Sequence, residues 1–429
     1  MNRQLRGPRF LWTLPLLFSI GVSACVLRAP IDRSAGPSGP GALAATGAAA
    51  GPGWVATWAC GVQLTEPSNN PPPPGLSNNT LRQLVLASIG GGQLRLRLSN
   101  RYGDGPVIMR AVHVARSTGG GAIDVATDRA LTFSGKSEIS IPVGRSVASD
   151  PFDLALDPLS GLAVTMAFGG TPPAITGHPG ARATSYLMSG NQISLASVPP
   201  GTVTAPHWYY LAGLDLLADA QTASVAILGD SLTDGRGSTT DGNDRWPNGL
   251  SRRLRANAAT SKLAVLNLGI GGNAVIAGGL GPPALQRFAS DVLVQPGLRF
   301  LVILEGVNDI GGTGDPAVAN RLIAAYGQLI DLAHARGVRV YGSPILPFGG
   351  SFYDTPAHQT ARQTVNAWIR TSGRFDAVID LDAAVRDPAA PNRLQAIYDV
   401  GDHLHLDPAG YQAMADAIDL TLFEGAPKK

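Results

Sequence analysis

Ser231 lies in Gly229-Asp230-Ser231-Leu232-Thr233-Asp234-Gly235, directly after the apolar run 225–228, so its hydroxyl is presented by a turn among small residues. A serine oxygen becomes a useful nucleophile only when a base takes its proton and a third group fixes that base's ring. Asp402-His403-Leu404-His405 offers both, with His405 as base and Asp402 as its orienter in one short loop. The chemistry these types imply is acyl transfer, which also needs donors aimed at an oxyanion. Two Gly/Asn-rich turns after apolar runs can supply them. The first carries Gly269, Gly271, Gly272 and Asn273, and glycines let a backbone approach a ligand closely. The second is Gly306-Val307-Asn308-Asp309, which sets the Asn308 amide at the end of a strand. Taken singly, these segments are ordinary turns, connections or caps. Their succession, each behind an apolar run or before a helix, is what points to catalysis.

Competing chemistries fit less well. Gly269 to Gly272 lacks the Gly-x-x-x-x-Gly-Lys of a phosphate cradle and the acidic partner of a dinucleotide fingerprint. The histidines lack ligand spacing, and Asp230, Asp234, Asp241 and Asp244 lack a calcium-loop pattern, so neither a metal nor a cofactor is expected. His403 is expected to point away from the site, solvated or packed locally.

The four segments resemble the consensus blocks of the SGNH, or GDSL, esterase and lipase family over about the last half of the chain. The resemblance implies Ser231 as nucleophile and as one oxyanion donor through its own N–H. It implies Gly272 as the second donor by its backbone N–H and Asn308 as the third by its amide. It also implies Asp402 and His405 as the Asp-x-x-His pair. Gly271 adjoins Gly272, and the choice between their amides stays open.

The supporting elements can be read from periodicity. After Gln221, apolar runs at 225–228, 263–266, 298–304, 338–341 and 377–379 alternate with amphipathic stretches at 247–259, 315–335, 356–371 and 408–422. This pattern predicts a parallel sheet with helices on both faces and every candidate residue at one sheet edge. Before it, 93–100 alternates apolar and polar, as a strand with one face in the core and one in water. Short β-rich runs follow at 108–116, 130–133, 138–141 and 162–168. The expected fold is therefore α/β: a three-layer α/β/α SGNH-type parallel sheet at 222–425, preceded by an antiparallel sandwich-like domain at 54–217. The other reading of 54–217 is a discontinuous decoration that packs on the hydrolase and shapes its cleft.

The first half also carries a resemblance. Trp54-Val55-Ala56-Thr57-Trp58-Ala59, Leu81-Arg82-Gln83, Arg97-Leu98-Ser99-Asn100 and Thr176-Gly177-His178-Pro179-Gly180-Ala181-Arg182 look like bacterial SGNH proteins with a β-domain before the hydrolase. Leu304 to Gly311 is similar to the branch related to xylan-associated esterases and arylesterases. This branch implies acetyl or short-acyl esters of plant polysaccharide.

At 429 residues, with 44% hydrophobic side chains and a net charge of +2, the chain has ample core material and no electrostatic bias toward nucleic acid. Residues 1–25 read as an export signal: Arg3, Arg6 and Arg9 precede the apolar run from Phe10 to Ala24, which ends at Val22-Ser23-Ala24-Cys25. The small residues before Cys25 resemble a lipobox, with Cys25 acylated and attached to a membrane; cleavage after Ala24 is the competing reading. Residues 26–53 form a low-complexity Ala/Gly/Pro linker. Cys60 is the only other thiol and reads as a core residue. The sequence thus predicts an exported serine carboxylic ester hydrolase acting through an acyl-enzyme on acetyl or short-acyl polysaccharide esters. The alternatives are a general arylesterase or lipase, and a surface-tethered carbohydrate-binding protein with a vestigial hydrolase half. For sugar stacking, Trp58, Trp208, Tyr209 and Tyr210 are the candidates, with packing in the core as the competing role.

Overall fold

The computed structural model describes residues 52–425; the export signal, Cys25 and nearly all of the linker lie outside them. The second half is built on five parallel strands in the spatial order Leu263–Gly269, Ala223–Gly229, Leu298–Leu304, Arg339–Gly342, Ala377–Val378. Ala223–Gly229 is buried at every position, because helices cover both faces of the sheet and no alternation is needed. The helices pack as two pairs, Trp246–Ala256 with Pro408–Asp416 and Val318–His334 with Pro356–Thr371. Two of them start on clear signals: Thr355 and Asp407 accept from His358 and Gly410 N–H, each followed by a proline in the first turn. The first strand lies inside the sheet with later strands on either side, so the loops after it diverge and open a crevice at the C-terminal edge.

Three helices are shorter than their apolar patterns, and the stretch 247–259 stops at Ala256. The stretch 315–335 becomes helical only at Val318, since Asp315 accepts from Ala317 N–H and forms a local turn instead. The stretch 408–422 ends at Asp416, and Asp419 caps a separate 3₁₀ turn at Leu420–Phe423.

The first half is antiparallel throughout. Gly53–Ala59, Leu211–Ala218, Gly91–Asn100 and Phe152–Leu156 lie side by side, and Thr80–Leu86, Gly161–Phe168 and Val107–Gly119 are central in a larger second sheet. Leu94, Leu96 and Leu98 from one sheet share a core with Leu81, Val112 and Val164 from the other, which makes a sandwich. Cys60 is buried here with its Sγ 3.4 Å from Leu211 O, and burial pushes its thiol up, so it is a packing residue.

One expectation about this half is corrected. The polar face of Gly91–Asn100 is only partly open to water, because part of it lies at the seam with the parallel-sheet half. Arg95 and Arg97 pair with the fully buried Asp215 at 2.8 and 2.9 Å, and Arg97 also reaches Gln295 Oε1 at 2.7 Å. Beside them Ala56 N–H donates to Pro296 O, and Ser88 Oγ accepts from Val265 N–H. Leu263–Gly269, an edge strand of the parallel sheet, is thereby covered, and an edge left bare would be open to unwanted pairing. The described residues consequently form one compact unit that holds the antiparallel and the parallel sheets together.

Candidate active site

Asp230 follows the strand Ala223–Gly229 and caps the four-residue helix Ser231–Asp234 by accepting from Leu232 N–H at 3.0 Å. Ser231 therefore begins a helix, and its own N–H meets no acceptor among the described residues. Ser231 Oγ lies 2.8 Å from His405 Nε2, and His405 Nδ1 lies 2.7 Å from Asp402 Oδ2. Asp402 holds its own loop in shape, since Oδ1 accepts from the N–H groups of Leu404 and His405 at 3.0 and 2.8 Å. His403, between them, takes a left-handed conformation (φ 61°), half-exposed and bonded to Asp399 at 2.6 Å, away from Ser231. That twist returns His405 to the carboxylate three residues earlier.

The charges follow from this packing. Partial burial pushes the Asp402 carboxyl up, but the His405 ring and the two loop N–H groups outweigh it and hold Asp402 below the usual carboxylate range. Burial lowers His405, with Arg236 and Arg182 adding to that, while Asp402 opposes. The net shift is downward, which favours the neutral imidazole needed in a base. Asp230, fully enclosed, is pushed up to about 7 by burial, against the pull of its Leu232 hydrogen bond.

The donor residues converge on the same cleft. Ile270 to Asn273 is closed by Asn273 N–H to Ile270 O at 3.1 Å, with Gly272 at φ 71° in the third position, as a type II turn requires. The N–H groups of Gly271 and Gly272 have no acceptor among the described residues, and both glycines line the cleft with Ser231. Asn308 donates from Nδ2 to Asn273 O at 2.7 Å and accepts at Oδ1 from Tyr353 Oη at 3.0 Å. One amide N–H remains for a ligand. Two residues of the first turn serve other ends: a Cβ at Gly269 would stand 2.4 Å from Asp234 N, and Asn273 is fully buried. Asn273 donates to Leu280 O and Pro282 O and accepts from Arg287 Nε. Arg287, wholly buried, also donates to Leu268 O and Gly229 O, tying the ends of the two strands that carry these turns.

The antiparallel half supplies a wall that motif reading had left without a role. His178 lies 2.7 Å through Nδ1 from Gly61 O and 3.0 Å through Nε2 from Asp234 Oδ1. Gly180 packs on the same carboxylate so closely that a Cβ would stand 1.7 Å from Asp234 Oδ2. Arg182, at φ 45°, reaches Asp234 Oδ2 at 3.6 Å. Burial raises the Asp234 carboxyl, yet His178 and then Arg182 bring it below its ordinary value. The segment Thr176 to Arg182 is thus bolted to the C-terminal end of the Ser231 helix. With Glu66 it lines a cleft of ≈ 280 Å³ that also contains Ser231, His405 and Asn308.

Trp58, Trp208, Tyr209 and Tyr210 are all core residues, and His178 stacks on Trp208 with ring centroids 5.6 Å apart. The exposed aromatic at the cleft is instead Phe352, 73% exposed, in the 347–354 loop beside Tyr353.

Residues 227–413 match the model of the GDSL-like lipase/acylhydrolase family. No curated protein matches the chain. Among solved structures, an acetyl xylan esterase, AlAXEase, is 20% identical over 45% of this chain and 96% of its own (TM-score 0.35). A catalytic mutant of Axe2, an acetylxylan esterase from Geobacillus stearothermophilus, is 19% identical over 46% and 91% (TM-score 0.35). A GDSL-like lipase from Bacteroides thetaiotaomicron is 20% identical over 46% and 86% (TM-score 0.34). The matched span, 227–413, takes in most of the parallel sheet and Ser231, Asp402 and His405 at its one edge, and it is this part of the chain that is similar to GDSL-like lipases and acylhydrolases.

Proposed function

We propose that this protein is a serine carboxylic ester hydrolase working through an acyl-enzyme. The observation that carries this reading is the continuous chain from Ser231 Oγ to His405 Nε2 at 2.8 Å and from His405 Nδ1 to Asp402 Oδ2 at 2.7 Å. His405 takes the Ser231 proton as the oxygen attacks the ester carbonyl, and the C–O bond to the alcohol breaks as His405 returns that proton to it. Water, deprotonated by His405, then releases the acid and frees Ser231. The oxyanion is held by the N–H groups of Ser231 and Gly272 and by the Asn308 amide, all with donors to spare.

The substrate in this proposal is an acetyl or other short-acyl ester of polysaccharide. A cleft of ≈ 280 Å³ lined by Gln63, Glu66, Asn69 and Arg182 as well as the catalytic groups suits a small acyl group on a polar alcohol. A general arylesterase or lipase is the second reading, favoured by Phe352 and the half-exposed Leu280 at the cleft. Acetate release from acetylated xylan, measured beside aryl acetates and long-chain aryl esters for wild type and Ser231→Ala, separates them. Polymer deacetylation lost in the variant supports the first; activity on aryl or longer esters alone supports the second. No Ser231-dependent turnover of any ester overturns both. Export with Cys25 lipidated completes the proposal, and labelled palmitate that enters the wild type but not Cys25→Ala is its test.

A further inference from the structure

Arg236 follows the Ser231 helix by two residues and has a backbone fixed at both ends: its N–H donates to Ser231 O at 2.9 Å and its carbonyl accepts from Tyr411 Oη at 2.6 Å. Its side chain is exposed, lines the catalytic cleft, and forms no ion pair among the described residues. Two carboxylates line this space and a third, Asp402, stands behind His405, and each is engaged. Asp234 is taken by His178 and Arg182, and Asp402 by His405 and its own loop. Glu66 accepts from the Gln63 and Asn69 amides at 2.5 and 3.0 Å. Arg182 enters the same cleft from the antiparallel half, in a left-handed conformation that non-glycine residues adopt at a cost. Both arginines act on His405, each lowering its proton affinity, so both guanidinium groups lie within electrostatic range of the reacting centre. A guanidinium left over beside a nucleophile is suited to a planar anion, which it can grip with two parallel hydrogen bonds.

We propose that Arg236, seconded by Arg182, binds a carboxylate carried by the substrate, so that the preferred ester is a short-acyl ester of an acidic alcohol, such as a uronate-bearing glycan. This deepens the ester-hydrolase reading and rests on it for the turnover arm of its test. In that arm, 4-acetoxybenzoate and its neutral analogue 4-acetoxybenzamide are compared by kcat/KM on the full chain. The wild type should favour the carboxylate by about tenfold, the scale of one hydrogen bond to a charged group. Arg236→Gln, and separately Arg182→Gln, should bring the ratio toward one. Equal kcat/KM for the two esters in the wild type, or a preference that survives Arg236→Gln, overturns the arginine proposal and leaves the esterase standing. The second arm needs no turnover: glucuronate and glucose are titrated calorimetrically into Ser231→Ala with and without Arg236→Gln. Glucuronate binding that requires Arg236, with neither ester hydrolysed by the wild type, would retain the anion site and sink the esterase. Glucuronate binding no tighter than glucose overturns the proposal on its own.

Discussion

The two halves bury charge to different ends. In the antiparallel half, Arg82 is fully buried and spends its guanidinium on Thr165 Oγ1, Gly121 O and Leu195 O, joining loops to a sheet. In the catalytic half, Asp230 and Glu305 lie wholly enclosed near the C-terminal sheet edge, and Glu305, with no hydrogen-bond partner, is pushed up to about 8 by burial. The Arg82 arrangement uses all three guanidinium nitrogens and is made for rigidity, although the same half leaves the neutral Tyr210 Oη and Asn100 Oδ1 unbonded. The second tolerates unsatisfied groups around a reacting centre, where perturbed acids are expected to gather. The segment Thr176 to Arg182 is where the two habits meet, since a strand of the sandwich half provides the partner of a carboxylate in the nucleophile's own helix.

That meeting point offers the largest expected effect. His178→Ala strips the nearest partner from buried Asp234 and should cost about 3 kcal/mol of stability, the low end for a broken buried pair because Arg182 remains. Chemical denaturation followed by both near- and far-UV signals should give one shifted transition. Two separate transitions would mean that the halves unfold independently and that the contrast above is only topological. Next comes Asn308→Ala, confined to the catalytic half, which should lower kcat by about 10²–10³ with little change in the denaturation midpoint. Tyr353→Phe removes only the hydroxyl that fixes the Asn308 amide, and a fall of roughly threefold to tenfold in kcat is expected from one neutral hydrogen bond. A KM change at constant kcat would assign Tyr353 to binding instead. The smallest effect is on pH. His405 is held low, so it stays neutral to lower pH and the acid limb of kcat/KM should fall below its ordinary value of about 6.5. Arg236→Gln removes a charge that disfavours the imidazolium, so the limb should move to higher pH; a shift downward contradicts the placement of that charge.

The catalytic half was largely legible. Apolar runs bounded by glycines marked Ala223–Gly229, Leu263–Gly269 and Leu298–Leu304, and the turns after them brought Ser231, Gly272 and Asn308 to one edge because parallel strands share a direction. The antiparallel half was legible only in part. Gly91–Asn100 announced itself by alternation, but Thr80–Leu86 buries an arginine on the face turned away from the sandwich core, and the loop carbonyls that accept from it lie 39 and 113 residues away. The roles of His178, Gly180 and Arg182 had the same obstacle: their partner, Asp234, is 56 residues from His178, and no local pattern encodes a contact across a seam. Tyr353 faced the same obstacle, since the Asn308 amide it bonds lies 45 residues earlier.

Gly53 pairs with Ala218, so the sandwich half opens and closes at one spot, a few residues before the first strand of the parallel sheet begins at Ala223. Ser231 lies beyond the far end of that strand, roughly 20 Å away for seven extended residues. Any pull exerted on the chain at Gly53 would therefore act near the start of Ala223–Gly229, the end of that strand remote from Ser231.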